Sequence, residues 1–408
     1  MLQERAAYLS KKKRSCLAII WLSLSPIGQV SLSLNKMLCR GLSLRMSDVG
    51  RALLLSWAFI SFTMDEVTPF PNHIICLYIP GLNDVQRDLC IRYPKLVPII
   101  IQEVPPLFYS ECREQFKYER WNCSETIPPI AGDLSKDLKR LSKETAFTYA
   151  LTSAIMVRVI TKACSDGRLQ NCSCDTSRQG QTSPQGWQWG GCSDDVGFGV
   201  MLTRAFLDTR NNATNKTGNE LEASLVNLHN NAVGRTVVSD NMQVKCRCHG
   251  ASGSCATRTC YSQLPTVRDI STDMKIKYNH SVKVTAHVNR GTTVLRSTSS
   301  SNTEAVSPPV DSLVHVKNSV KYCIRQNDYT ANRSCIPQNI LTQIESNEAN
   351  PTHYPGYPLP ACESLCCSGE YETEEYTVST TCYCHFVWCC KISCEECEKT
   401  LTRYKCTG

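Results

Sequence analysis

Long apolar runs are missing from this chain. No stretch of ~18 uninterrupted apolar residues occurs in its 408 residues, which argues against a transmembrane helix. The excess of one sign of charge is small as well. Lys plus Arg number 44 against 37 Asp plus Glu, a net +7, and Lys11-Lys12-Lys13-Arg14 is the one short basic block. A nucleic-acid binder needs a basic stripe, so no nucleic acid is expected as a partner. Hydrophobic residues at 42% and charged residues at 20% leave no room for bulk disorder. The length suits two or three domains.

Cysteine is abundant and unevenly spread. Twelve of the 26 cysteines fall between Cys323 and Cys406, a density of ~14%, above the level that marks a disulfide scaffold. A reducing cytosol leaves thiols free or on metal; a secretory route pairs them. The expected location is therefore extracellular. Two stretches have the basic flank and apolar core of a signal peptide: Cys16 to Leu24 after Lys11–Arg14, and Ala52 to Phe62 after Arg51, with Met46 upstream as a start. The second lies nearer the first cysteine cluster and is preferred, which makes residues 1 to 45 an upstream extension. Sequons at Asn122, Asn171, Asn212, Asn215, Asn279 and Asn332 are candidate glycosylation sites. Asn122 and Asn171 directly precede cysteines, where early disulfide closure competes with glycan transfer.

Hydrophobic spacing predicts helices. Asp133 as an N-cap, followed by Leu134, Leu138 and Leu141, predicts one helix, and Lys143 to Cys164 predicts a long one with few charges, buried on most sides. Leu221, Leu225, Leu228 and Ala232 stripe another over 219–239. Residues 290–312, with Ser297-Thr298-Ser299-Ser300-Ser301 and Pro308-Pro309, read as an exposed linker. Alternation in Tyr376–Cys384, and a second run at His385–Ser393, predict long hairpins stapled by cystines, since so short a segment cannot build an adequate core. The expected class is α+β. A mainly helical N-terminal domain (64–289) carries a disulfide-clamped hairpin. It follows an extension and signal peptide (1–63) and precedes a linker (290–318) and a small cystine-rich β-hairpin C-terminal domain (319–408).

The most specific segment is Cys246-Arg247-Cys248-His249-Gly250-Ala251-Ser252-Gly253-Ser254-Cys255, followed by Cys260. If Cys248 pairs with Cys255 and Cys246 with Cys260, the bonds nest and clamp a hairpin with Ser252 at its tip. Gly250 and Gly253 would supply the positive φ angles of the turn. Three readings compete. Gly250-Ala251-Ser252-Gly253 resembles the start of a nucleophile elbow, but Ser254 replaces its last glycine and the strand-to-helix context is missing. Cys246, Cys248, His249 and Cys255 are a candidate zinc set, although the spacing is not that of a standard finger and an oxidising compartment competes for the thiols. For a lone serine, a plain turn residue is the usual reading.

This segment closely resembles the signature of the Wnt family of secreted signalling proteins. Further matches are Ile79-Pro80-Gly81-Leu82 with Cys76 and Cys90, Arg120-Trp121-Asn122-Cys123-Ser124, Cys172-Ser173-Cys174, and Trp189-Gly190-Gly191-Cys192-Ser193-Asp194. Leu228-His229-Asn230, Leu365-Cys366-Cys367, Cys382-Tyr383-Cys384, Trp388-Cys389-Cys390 and Cys394-Glu395-Glu396-Cys397 follow. The resemblance covers about residues 76 to 408, and the 24 cysteines other than Cys16 and Cys39 fit it.

The resemblance implies a ligand, not an enzyme, with no cofactor. It implies a covalent palmitoleate on Ser252, attached by a membrane-bound acyltransferase, and an export carrier that takes the protein out of the cell. The acyl chain enters a groove on the cysteine-rich domain of a Frizzled receptor. A second hairpin touches the opposite side of that domain through Phe386, Val387, Trp388, Cys389 and Cys390, the last two joined as a vicinal disulfide. A low-density-lipoprotein-receptor-related coreceptor binds elsewhere, and the net charge is compatible with heparan sulfate. The implied pairs are Cys112 with Cys123, Cys164 with Cys172, Cys174 with Cys192, Cys323 with Cys367, Cys335 with Cys362, Cys366 with Cys406, Cys382 with Cys397, and Cys384 with Cys394; Cys76 and Cys90 are a further candidate pair. Four places depart from the family pattern. Ala251 replaces a larger aliphatic residue, Pro105-Pro106 interrupts a helix, Ser368-Gly369-Glu370 replaces a more basic turn, and the Cys335–Cys362 stretch is longer. The contrasting functions are an unacylated antagonist or matrix protein and a secreted hydrolase using Ser252 and His249.

Overall fold

The computed structural model describes residues 76, 78–121, 123, 126–130, 138–289, 292–298, 306–324, 327–328 and 330–407, with a strand pair further upstream. The chain divides into two units, 1–68 and 69–408. In the first, β1 (Ser23–Leu24) pairs antiparallel with β2 (Val30–Ser31). Apart from Ser23 and Leu24, both signal-peptide stretches lie outside the described residues, as does Asn122.

The second unit mixes helices with small sheets in an α+β fold. Helix α1 (Asp84–Arg92) opens on a capping box in which Asn83 and Gln86 each accept the other's backbone amide. Helix α2 (Leu96–Gln115) runs through Pro105 and Pro106, contrary to the expected interruption. The two prolines remove the amides that would bond to Ile101 and Gln102. Both of those residues are exposed, so water can satisfy their carbonyls, while Val104 and Phe108 stay buried on the core side.

Helix α3 (Lys143–Ser165) is the centre of the unit. It has no charged side chain between Glu144 and Arg158 and is buried on nearly every side. Its start corrects the expected helical pair. Leu138–Arg140 is only a 3-10 turn, Leu141 takes φ 56°, and Ser142 is the N-cap; Asp133 and Leu134 lie outside the described residues. Helices α2, α4 (Val196–Leu207), α5 (Gly218–Asp240) and α6 (Val267–Asn279) all pack on α3. Small residues set the α3–α5 distance. A Cβ on Gly234 would lie 2.1 Å from the Ala150 carbonyl oxygen. Backbone on both sides cannot yield, so Gly234→Ala should cost about 3 kcal/mol, read as a lower thermal midpoint and lower secretion.

Strand β3 (Gln188–Trp189) lies parallel to β5 (Arg258–Gln263), which pairs antiparallel with β4 (Gln243–Cys248). Strand β6 (Val282–Asn289) pairs with β7 (Thr292–Ser297) and with β8 (Val314–His315). The stretch expected as a linker therefore carries two strands; its Ser-rich part, 299–305, is outside the described residues. His315 is buried there, and its Nδ1 has no hydrogen-bond partner among the described residues. Burial, and then the Lys143 and Lys283 cations, push its imidazole down to about 4. The unfolded imidazole titrates near 6.5, so the unfolded chain binds the proton first as the pH falls. Stability is full above about pH 6.5 and is lost toward pH 4. Burial lowers His229 in the same direction. A thermal midpoint that falls between pH 6.5 and 4, with a flatter slope in His315→Gln, is the expected result.

The C-terminal part is built on cystines. Strands β9 (Cys323–Ile324) and β10 (Asn327–Asp328) form a short pair. Strand β11 (Ser334–Cys335) joins only the base of a long ribbon, β12 (Tyr371–Val387) against β13 (Lys391–Cys406). Its small core is Cys335, Cys362, Leu365, Cys366 and Cys406, with Tyr404 packed on it. The Cys335 and Cys366 sulfurs lie 3.7 Å apart, but each belongs to a different disulfide, so this is a packed pair of cystines. Arg333 ties this part to the turn that follows α2. Its guanidinium donates to the carbonyls of Lys117 (2.9 Å), Glu119 and Arg120 (2.9 Å).

Candidate functional site: two cystine-clamped hairpins

Hairpin β4–β5 is fixed from below by the Trp189-Gly190-Gly191-Cys192-Ser193-Asp194 run. Gly190 N donates to Cys260 O (3.0 Å), and Asp194 N donates to Ser262 O (2.9 Å). The Ser193 hydroxyl accepts from Ser262 N (3.1 Å). The buried Asp194 carboxylate accepts from Leu264 N (2.9 Å) and from Ser165 Oγ at the end of α3 (2.5 Å). Sequence reasoning did not single out Ser165 or Asp194 as anchors. The signal is an acid two residues beyond a cysteine, which becomes informative only when α3 ends beside it.

Above this anchor two disulfides nest. Cys246 and Cys260 are directly opposite in the β4–β5 register and are bonded, with Cα atoms 4.0 Å apart. Cys248–Cys255 closes the loop above them at a Cα distance of 4.5 Å. Within that loop, Gly250 N donates to Ser254 O (2.9 Å), and Gly253 N donates back to Gly250 O (3.1 Å). Ser252 stands at the tip, exposed, with φ 56° and ψ 26°. A non-glycine residue in the left-handed region is uncommon and is held only where its surroundings impose it.

The two glycines act differently from expectation. Gly253 takes φ 76°, as expected. Gly250 has φ −70°, so the second positive φ belongs to Ser252 instead. Glycine is needed at 250 for space: a Cβ there would lie 2.0 Å from Ser254 Oγ and 2.4 Å from Ser254 O.

These geometries bear on the three readings of the motif. Cys246, Cys248 and Cys255 are in disulfides, which removes the thiolates a zinc site needs. His249 Nε2 is hydrogen-bonded to Thr259 Oγ1 at 2.7 Å. Among the described residues the Ser252 hydroxyl has no hydrogen-bond partner, whereas an activated serine is paired with its base. The segment 243–263 contains no acidic residue. Beside it lies a polar cleft of about 510 Å³, lined by Lys162, Asp166, Arg247, His249, Thr259 and Tyr261 among others.

The second hairpin is the β12–β13 ribbon. The run His385–Ser393, a second strand by its pattern, contains the turn that the resemblance implies at Phe386–Cys390: pairing ends at Val387↔Lys391, and Trp388, Cys389 and Cys390 form the tip. Trp388 is 91% exposed and Phe386 69%. Such exposure does not fit Trp388 as the anchor of a small core. Cys382–Cys397 and Cys384–Cys394 staple the ribbon behind the tip. Cys389 and Cys390 stand as free, exposed thiols, not as the implied vicinal disulfide. Both residues take left-handed φ angles of 69° and 76°.

The structure also joins Cys76–Cys90, Cys112–Cys123, Cys164–Cys172, Cys174–Cys192 and Cys323–Cys367. Asn171, Asn212, Asn215, Asn279 and Asn332 are all exposed.

A family model described as the Wnt family matches residues 78–407. The chain belongs to the Wnt family. Wnt proteins are secreted signalling ligands and not an enzyme family. Among solved structures, a chain of human WLS in complex with WNT8A is similar at 28% identity with a TM-score of 0.51, over 78% of this chain and 95% of that one. The Drosophila WntD N-terminal domain-linker (residues 31–240) aligns at 18% identity and a TM-score of 0.36, over 56% of this chain and 98% of that one. That likeness adds nothing to the fold. No described helix is long and apolar enough to cross a membrane.

Proposed function

We propose that this Wnt-family chain is an acylated ligand that engages the cysteine-rich domain of a Frizzled receptor with two hairpins. The observation that carries the reading is the tip of β4–β5. A serine hydroxyl stands exposed in a left-handed turn, above two nested disulfides that fix its direction. Such a tip suits covalent attachment of a palmitoleoyl group to Ser252 by a membrane-bound acyltransferase, because the hydroxyl is free and the loop is pre-organised. Ala251 beside it is smaller than the usual aliphatic residue but still apolar, so acylation persists. A rigid carrier reduces the ordering cost of presenting the lipid to a groove.

Phe386, Val387 and Trp388, with Cys389 and Cys390, make the second contact. An exposed aromatic tip on a stapled ribbon is the composition of an interface hot spot. A lipid-bearing ligand is poorly soluble, which calls for an export carrier; similarity to a chain of the WLS–WNT8A complex supports that partner class. A low-density-lipoprotein-receptor-related coreceptor completes the signalling complex, and the net charge of +7 is compatible with heparan sulfate in the matrix. The exposed sequons take glycan in the secretory route.

The test is binding of the secreted protein to an isolated Frizzled cysteine-rich domain. Saturable binding with activation of receptor-bearing cells is expected. Saturable binding without activation would move the reading to an antagonist, and no binding to any Frizzled domain would end it.

A further inference from the structure

The loop between Cys335 and Cys362 folds back onto the base of the β12–β13 ribbon. Its first part is α7 (Gln338–Glu345), whose leading amide on Gln338 donates to the Glu363 carboxylate at 3.0 Å. Its second part is a 3-10 turn, Pro351–His353, in contact with β13. There Lys399 Nζ donates to Thr352 Oγ1 at 2.9 Å. The Tyr354 ring stacks on Tyr404 at 6.3 Å, and Tyr371 of β12 meets the same ring edge-on at 5.8 Å. Both ends of the loop are tied: Ile336 N donates to Pro360 O (2.9 Å), Cys362 N donates to Ile336 O (3.0 Å), and Cys335–Cys362 closes it.

The base of β13 is covered by β11, by the small cystine core and by this loop together. Leu401 to Lys405 are half-buried, whereas Glu395, Glu396 and Glu398 are exposed. Beyond the Val378↔Lys399 rung, the ribbon is hydrogen-bonded only within itself among the described residues. The stretch from that rung to Trp388 is stiffened by its two cystines and spans about 30 Å at ~3.4 Å per residue. A tilt of about 10° at the rung therefore moves the tip by about 5 Å, more than a side-chain contact tolerates.

We propose that the 337–361 loop is a strap that sets the angle of the ribbon. Thr352, Tyr354 and Lys399 are then positioning residues for the receptor contact made by Phe386–Trp388. The proposal rests on the reading of that tip as a receptor contact. None of the three residues is at the tip; each acts through the direction in which the ribbon points.

The experiment compares secreted Tyr354→Ala, Tyr354→Phe and Lys399→Met, each alone and combined with Trp388→Ala. The readouts are Kd for the Frizzled cysteine-rich domain and backbone hydrogen exchange across Lys399–Tyr404. Tyr354→Ala should raise Kd about tenfold on its own and by less than about twofold in the Trp388→Ala background, because coupled residues are not additive. Lys399→Met should act in the same direction, and Tyr354→Phe, which keeps the stacked ring, should restore wild-type Kd. Exchange across Lys399–Tyr404 should quicken in Tyr354→Ala while that of α3 stays slow. Where Trp388→Ala does weaken binding, an equal penalty with and without Trp388 would overturn the strap, as would faster exchange at an unchanged Kd. If Trp388→Ala alone leaves Kd unchanged, the receptor reading of the tip fails. The strap is then judged by exchange alone: quickening upholds it, and no change overturns it.

Discussion

Ser252→Ala should be secreted with all its cystines intact yet lose receptor binding by at least about a hundredfold. The hydroxyl takes part in no hydrogen bond among the described residues, and the tip is exposed, so the fold is expected to tolerate the change. Alanine in the left-handed turn is no easier than serine, which predicts a small stability cost and no gain. The lost quantity is the lipid. Roughly a dozen methylenes at ~0.8 kcal/mol each give on the order of 10 kcal/mol of gross transfer energy. Ordering and desolvation offset much of that. A remaining few kcal/mol is still more than one hundredfold in Kd. Binding of purified wild type and variant to the receptor domain checks this. An equal Kd would mean that protein contacts alone hold the receptor.

Trp388→Ala is the second large effect. The side chain is 91% exposed, so its removal should leave stability within about 0.5 kcal/mol. As a central aromatic of a contact tip it should instead cost about 2 kcal/mol of affinity, or some thirtyfold in Kd. The expected pattern is an unchanged thermal midpoint and secretion level with weakened binding. Lost secretion with an unchanged Kd would assign Trp388 to folding.

Much of this architecture was legible in the residues. Helix α3 announces itself by thirteen uncharged positions between Glu144 and Arg158, and α5 by its leucine stripe. The motif Cys246–Cys260 located the hairpin because its spacing matches directly opposed strand positions, the closest approach that two strands offer a cystine. What escaped the sequence depends on tertiary surroundings. The prolines of α2 were read as a break, yet their orphaned carbonyls face water and cost little. The turn of the ribbon lies inside the run His385–Ser393 and only the family resemblance points to it, because Trp388, Cys389 and Cys390 include none of the usual turn residues and two cysteines adopt the left-handed backbone. Gly250 was assigned a backbone angle when its role is to leave room for Ser254, a distinction of 2 Å invisible in one dimension. The anchoring of β5 by Asp194 and Ser165 joins residues 29 apart and needed the fold to be seen.

The central claim is that this chain carries its activity on Ser252. The most direct measurement is the mass of the tryptic peptide running from Cys248 to Arg258, taken from protein secreted by acyltransferase-competent cells. One palmitoleoyl increment on Ser252, absent from Ser252→Ala, is expected. A well-secreted wild type whose peptide is found only unmodified would contradict it and bring the unacylated antagonist or matrix reading forward.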